Sequence, residues 1–324
     1  MKRLISLLLC ALLIVPALAE DAPDFEPIPW DIKVSPNLPN PDCYLPNNGG
    51  YHDDSIDIQI NVTYWTQDLQ QVDAPGEGTT TVMSARVKLT DVSQFRTGFA
   101  NKYPSKQARH VNDMTKRFNA VMGIDGDYCL YHEQGIVVRN GQTLRMRPHK
   151  GRDELIVDEN GDFHLITCTT QAKWGEYIAG GGTVLHAFCF GPALVVDGVP
   201  LTNLDDVTID NGKAKKAQRM VIGQVGKLEY LILTNEGPES TAPKSVGFDL
   251  VQMANLCVQF GLNNAYNLDG GSSSTIALNN QKINSPSSHK NRMVGDCIWF
   301  ATLVKEETWR EKESVQTVEV EENK

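Results

Sequence analysis

The segment Asn267-Leu268-Asp269-Gly270-Gly271-Ser272-Ser273-Ser274-Thr275 changes abruptly from an apolar strand to a run of small residues. Two glycines let a backbone approach a ligand closely, and successive N–H groups can cradle an anion. Asp269 is expected at a strand end, where carboxylates commonly take part in chemistry. The alternative is a plain Gly-Gly turn with a solvent-facing Asp269. The pattern favours a loop that builds a binding or catalytic site.

The residues on either side of this loop predict strands and helices. Upstream, apolar residues at helical spacing from 248 to 258 predict a helix that ends at Gly261, and residues 221–233 predict a β-hairpin. Downstream, residues 297–304 predict a closing apolar strand.

The N-terminal half of the chain also predicts both strands and helices. Residues 56–63 alternate apolar and polar side chains as a half-buried strand does, and residues 81–89 predict a second strand. Ser105 is the predicted cap of a helix that leads into the strand 120–124. Turn signals between 136 and 207 predict successive hairpins. We therefore expect a single α+β domain with a mostly antiparallel or mixed β-sheet core and a few packed helices.

The two ends of the chain differ from its middle. Residues 1–19 combine a basic start, an apolar run and small residues at the cleavage positions, which is typical of a secretory signal peptide; an uncleaved anchor is the alternative. Residues 20–55 are rich in Pro and Asn and predict an extended leader. Residues 305–324 predict a charged tail with few apolar side chains. The folded domain is expected over 56–304, in a secreted or periplasmic protein.

The net charge limits the classes of binding partner, and the number of cysteines bears on the cellular compartment. A formal net charge of −10 over 324 residues argues against nucleic acid and anionic membranes as partners. No segment after the signal peptide is apolar enough to span a membrane. Six cysteines beyond Cys10 favour at least one disulfide in an exported protein, although several also fit as buried apolar residues. They are Cys43, Cys129, Cys168, Cys189, Cys257 and Cys297.

A second acidic cluster follows the strand 120–124. In extended geometry Asp125 and Asp127 face the same side, and two like charges so close raise one pKa unless a cation is present. A surface turn explains an Asp-Gly-Asp sequence equally well. Familiar catalytic signatures do not fit elsewhere: H-E-x-x-H begins at His132 and G-x-S-x-G at Gly270, but each lacks its last residue.

Five short motifs follow one another along the chain, at residues 123–128, 191–198, 219–223, 267–275 and 292–296. In this order they resemble the motifs of the phosphodiester glycosidase family: G-x-N-G-D-Y, G-P-x-L-V-x-x-G, R-x-x-x-G, N-L-D-G-G-x-S-x-T and R-x-V-G-D. The resemblance extends over roughly residues 80–304. Two positions depart from the family pattern, because Asp125 replaces an Asn and Glu236-Gly237-Pro238 replaces a D-G-R turn.

The resemblance implies hydrolysis of the bond between the anomeric carbon of a sugar and a phosphodiester, with a sugar-phosphate or cell-surface polysaccharide as substrate. From charge alone, we expect carboxylates on the sugar side, where positive charge develops, and arginines on the phosphate side. The predicted catalytic acids are Asp127, Asp269, Asp125 and Glu236. The predicted substrate-binding residues are Arg219, Arg292, Asn267, Gly270, Gly271, Ser274 and Thr275.

This chemistry requires no cofactor, but two rival functions remain open. A metal-dependent phosphodiesterase breaks the phosphorus–oxygen bond instead, with calcium or magnesium held by carboxylates such as Asp125 and Asp296. A non-catalytic protein that binds sugar-phosphate polymers is the other rival, since a fold does not guarantee an activity.

Overall fold

The computed structural model describes residues 35, 38–208, 215–240, 244–285 and 291–303. The predicted signal peptide and tail therefore lie outside the described residues. The strands of the described part are, in chain order, β1 (Tyr44–Leu45), β2 (Gly50–His52), β3 (Ile56–Trp65), β4 (Gln71–Val72), β5 (Thr80–Leu89), β6 (Phe95–Phe99), β7 (Met122–Asp125), β8 (Gly135–Arg139), β9 (Gln142–Arg147), β10 (Glu154–Val157), β11 (Phe163–Ile166), β12 (His186–Phe188), β13 (Ala193–Val196), β14 (Val199–Pro200), β15 (Arg219–Gly226), β16 (Glu229–Asn235), β17 (Asn264–Leu268), β18 (Ile276–Leu278), β19 (Gln281–Lys282) and β20 (Asp296–Phe300).

These strands form three sheets whose pairings are antiparallel throughout the described residues. The main sheet has ten strands in the order β1-β2-β3-β5-β16-β15-β17-β13-β14, with β4 paired to β3. A second sheet has the order β11-β10-β12-β8-β9. A third has the order β19-β18-β7-β20-β6. The α+β class with a mostly antiparallel sheet core is confirmed.

Each sheet carries one helix on its outer face: α1 (Val111–Phe118), α2 (Gln171–Ala179) and α3 (Leu250–Gln259). Helix α3 packs Leu250 and Met253 against the main sheet. Helix α1 packs Met114 against the third sheet, and α2 packs Trp174 against the second. No helix in the described residues is long and apolar enough to cross a bilayer.

The inner faces of the sheets share one apolar core. Along β15, Met220 and Ile222 point into this core, whereas Val221 packs with α3 on the opposite face. This alternation follows from the period of two along a strand. It places the same strand between two apolar layers, which explains why residues 220–222 are apolar without interruption.

Most predicted elements occur where the sequence placed them, with three differences. The main sheet begins at Tyr44 rather than near Ser55, and Tyr51 is buried in the core, so the second half of the predicted leader belongs to the domain. Helix α1 begins after His110 and not at Ser105. Helix α2 interrupts the region predicted to contain only hairpins, and Thr170 caps it by accepting from the Lys173 N–H.

Candidate functional site

The candidate site lies where strands of two different sheets end side by side. Asp269 follows β17 of the main sheet, and Asp125 ends β7 of the third sheet. The Asp269 N–H donates to the Gly126 carbonyl oxygen at 3.2 Å. A backbone hydrogen bond between residues 143 positions apart in the chain thus joins the two motifs, 123–128 and 267–275.

A cavity of about 550 Å³ opens at this junction. Four cationic residues and two acidic residues lie on its wall: Arg219, Arg292, Lys215, Lys216, Asp269 and Glu239. Tyr128, Phe190, Asn267 and the Gly270-Gly271 pair complete much of the lining. An excess of positive charge beside one carboxylate at a strand end suits a ligand that combines an anionic group with a polar, uncharged part.

Asp125 is fully buried beneath this cavity. Its Oδ1 accepts from the Thr275 N–H at 2.8 Å, and its Oδ2 has no hydrogen-bond partner among the described residues. Burial, followed by the negative charges of Asp269 and Asp296, raises the pKa of Asp125 well above its ordinary value. A carboxyl group in these surroundings favours its neutral form.

Asp127 has a different environment from the one expected of a catalytic base. One of its oxygens accepts from the Cys129 N–H at 2.9 Å and the other from the Cys189 N–H at 2.8 Å. The second oxygen also forms an ion pair with Arg139 at 3.1 Å. Burial alone would raise the pKa of Asp127, but the Arg139 charge and these N–H donors hold that pKa below its ordinary value. Asp127 is not among the residues that line the cavity.

Arg139 completes a buried ion cluster with Asp127 and Asp296. Its Nη2 lies 3.0 Å from Asp296 Oδ2, and its guanidinium lies 4.4 Å from the centre of the Phe188 ring. Burial and the charge of Asp127 raise the pKa of Asp296 to about 6, although Arg139 opposes the shift. Arg139 belongs to the second sheet and Asp296 to the third. The cluster therefore ties two sheets together below the cavity.

The loop after β17 is built from hydrogen bonds within the protein. The Gly270 N–H donates to Asp269 Oδ1 at 2.8 Å, and the Gly271 N–H donates to the Gln218 carbonyl oxygen at 3.0 Å. A Cβ at Gly270 would lie 2.9 Å from that same carbonyl oxygen, so the close backbone approach requires glycine. Both glycines line the cavity, but their amides already have acceptors, which contradicts the predicted anion cradle.

The two predicted arginines both reach the cavity. Arg219 begins β15 and is almost fully buried; its Nη2 donates to the Lys215 carbonyl oxygen at 2.5 Å and its Nε to that of Phe248 at 3.4 Å. Burial lowers the pKa of Arg219 to about 10, a shift that Asp249 partly opposes. Arg292 is exposed, with its guanidinium 5.8 Å from the centre of the Tyr128 ring.

The remaining predicted residues separate into lining and supporting positions. Asn267 lines the cavity, and its Nδ2 donates to the Gly191 carbonyl oxygen at 2.8 Å. Ser274 and Thr275 are fully buried and are not among the lining residues. Glu236 is also absent from the lining, and burial raises its pKa against hydrogen bonds from Ser285 and Ser245.

Four residues of this site were not predicted from the sequence. Arg139 precedes an Asn-Gly turn, where an arginine ordinarily reads as a solvated hairpin residue, so no local signal identified it. Lys215 and Lys216 passed unnoticed because they lie outside every motif. Tyr128 belongs to a recognised motif but was not singled out; its backbone is left-handed, with φ of 58°. Such a conformation costs a non-glycine residue energy and is often found at functional sites.

The structure offers one compact group of metal-ligating atoms among the described residues, formed by Asp127, Cys129 and Asp296 within 4.8 Å of one another. Arg139 already places a positive charge against both carboxylates. Calcium and magnesium require shells of oxygen ligands, which a thiol does not provide. The predicted ligand Asp125 is not part of this group.

The six cysteines beyond Cys10 are free thiols in the structure, so the expected disulfide gains no support from it.

Comparison with known proteins agrees with the site motifs. The sequence profile of the phosphodiester glycosidase family matches residues 118–301. The fold is similar to the catalytic domain of zebrafish N-acetylglucosamine-1-phosphodiester alpha-N-acetylglucosaminidase, auto-inhibited by its pro-peptide, with a TM-score of 0.59 and 14% identity over 78% of this chain and 86% of that one. It is also similar to a hypothetical protein from Synechocystis, with a TM-score of 0.51 and 13% identity over 77% of this chain and 62% of that one. No curated protein sequence matches significantly. Because the family profile extends over more than half of the sequence, the chain belongs to the phosphodiester glycosidase family.

Proposed function

We propose that this protein is an exported hydrolase that cleaves the bond between the anomeric carbon and the phosphodiester oxygen of a glycosyl 1-phosphodiester. The products are a free sugar and a phosphomonoester. The observation that carries the proposal is the cavity wall, on which Asp269 stands at a strand end among Arg219, Arg292, Lys215 and Lys216.

The charges of the cavity match the needs of this reaction. The leaving phosphomonoester is a better leaving group than a sugar alkoxide, so protonation of the departing oxygen matters less than in ordinary glycosidases. Its negative charge is best stabilised by fixed cations, and a guanidinium can hold two phosphate oxygens at once. Arg219 suits this task because two backbone carbonyls hold its side chain in place.

Asp269 is the acidic residue that we assign to the sugar side. It takes a proton from the attacking water, and its negative charge favours the positive charge that grows on the sugar ring in the transition state. Asp125 lies behind it, with an environment that favours the protonated form. A neutral Asp125 places no second negative charge next to the Asp269 carboxylate. Asp125 is therefore a positioning residue in this scheme.

Asp127 and Asp296 act through Arg139 in the same scheme. Their carboxylates hold the guanidinium, and Asp127 also fixes the backbone at Cys129 and Cys189. This arrangement supports the loop that carries Tyr128 onto the cavity wall. We therefore propose Asp127 as a structural acid and leave Asp269 as the group that contacts the substrate.

The test is hydrolysis of the methyl ester of N-acetylglucosamine 1-phosphate in water labelled with heavy oxygen. We choose this sugar because it appears in the name of the zebrafish relative. Cleavage at the carbon–oxygen bond puts the label on the sugar, whereas cleavage at phosphorus puts it on the phosphate. Asp269→Asn should lower turnover by ~10²–10⁴, and Asp73→Asn, an exposed acid outside the cavity, should not.

Other outcomes would select a rival function. Label in the phosphate, together with loss of activity on addition of a chelator, would indicate a metal-dependent phosphodiesterase. Binding of the ester without turnover would indicate a carbohydrate-binding protein.

A further inference from the structure

A second cavity of about 550 Å³ lies beside the loop between β7 and β8, which carries Tyr128. Its wall includes Tyr103, Tyr131, Lys106 and Arg147. Lys106 and Arg147 are exposed, and the Lys106 ammonium lies 5.7 Å from the centre of the Tyr131 ring. Glu133 is the acidic residue on this wall, so the exposed lining carries an excess of positive charge.

A smaller cavity of about 140 Å³ adjoins both larger ones. It shares Tyr128, Asp269 and Arg292 with the first cavity and Tyr131 with the second. The rings of Tyr128 and Tyr131 are stacked, with centroids 4.4 Å apart and planes 24° from parallel. One surface therefore runs from the first cavity, across two tyrosines, to the second.

The order of chemical groups along this surface is cationic, aromatic and cationic. Aromatic faces pack against the apolar faces of sugar rings, and exposed cations pair with phosphates. The volume of the first cavity is enough for a small ligand, since sites for small ligands measure about 300–1,000 Å³. A single glycosyl phosphodiester leaves the second cavity without a role.

We propose that the substrate is an oligomer or polymer whose sugars are joined through phosphodiesters, and that Lys106 and Arg147 bind a phosphate beyond the bond that is cleaved. This inference rests on the proposed function, because it takes the first cavity as the place of hydrolysis. The sugar next to the cleaved bond lies against Tyr128 and Tyr131, and the next phosphate reaches the second cavity.

The experiment compares two substrates: the methyl ester of N-acetylglucosamine 1-phosphate, and a tetramer of N-acetylglucosamine joined through anomeric phosphodiesters. The double variant Lys106→Gln, Arg147→Gln should raise KM for the tetramer by about tenfold, the effect of losing two exposed charged contacts. Its kcat on the tetramer and both constants on the methyl ester should not change. The control is Lys88→Gln with Lys116→Gln, which removes two exposed lysines that line none of the three cavities.

An unchanged KM for the tetramer, or an equal loss on both substrates, would overturn the proposal. If the wild-type protein hydrolyses neither substrate, the proposed function fails, but calorimetric titration with the tetramer still tests the second cavity. Binding that the double variant weakens and the control retains would uphold the assignment. Absent binding, or binding that the double variant retains, would overturn it.

Discussion

Replacing Asp125 with Asn tests whether the buried carboxyl group beneath the cavity is protonated. The Asn side chain has nearly the same shape, and its oxygen can keep the hydrogen bond from the Thr275 N–H. Its amide also supplies a donor where the neutral acid holds its proton. The substitution therefore removes a titratable group while preserving the local contacts, and it restores the residue type found at this position in the family motif.

The size of the stability change follows from proton linkage. Burial raises the pKa of Asp125 in the folded protein, so the folded state binds a proton more tightly than the unfolded state. The stabilising effect of that proton is complete below the unfolded pKa and is lost as pH rises towards the folded pKa. Over that window the wild type loses about 1.4 kcal/mol of unfolding free energy per pH unit from this site, whereas the Asn variant loses none.

Urea unfolding from about pH 4 to about pH 8 measures this difference. The Asn variant should gain stability relative to the wild type as pH rises, while Asp73→Asn, on the surface, serves as the control for loss of one charge. A difference that stays constant with pH would mean that Asp125 is not protonated in this range. Activity should stay within about tenfold of wild type; a fall of ~10²–10⁴ would instead make Asp125 a catalytic acid.

Three further predictions concern the ion cluster, the cations and the N-terminus. Asp127→Asn should lower the free energy of unfolding by about 3–5 kcal/mol, because Arg139 loses a buried partner; an unchanged urea midpoint would contradict the structural role. Arg219→Lys should reduce kcat/KM by about tenfold to hundredfold, the equivalent of a charged hydrogen bond of about 1.5–3 kcal/mol, since an ammonium cannot reproduce the guanidinium fork; equal turnover would place the phosphate elsewhere. Export and cleavage predict that N-terminal sequencing of secreted protein begins at Glu20, and recovery of the full-length chain from the cytosol would refute them.

Where a local pattern repeats, the sequence predicted the fold well. The alternation at 56–63 became β3, and the apolar spacing after residue 248 became α3, with Asp249 and Gln252 forming a capping box. Helix α2 was missed because it buries one large side chain, Trp174, and contains Gly175, so its apolar pattern is weak. Thr170 before the helix and the glycines after Ala179 are the residues that indicate where it begins and ends.

The sequence by itself determined the antiparallel α+β class and the family, because these depend on short-range periodicity and on motif order. Only the tertiary structure decided the different surroundings of the acids. Asp125 and Asp127 are two residues apart, yet one is buried beside other carboxylates and the other is paired with Arg139. The N–H groups of Gly270 and Gly271 likewise already donate to the Asp269 carboxylate and to the Gln218 carbonyl oxygen, which lies just before another strand. A carboxylate's charge state and an amide's acceptor are set by neighbours distant in the chain, and packing brings those neighbours together.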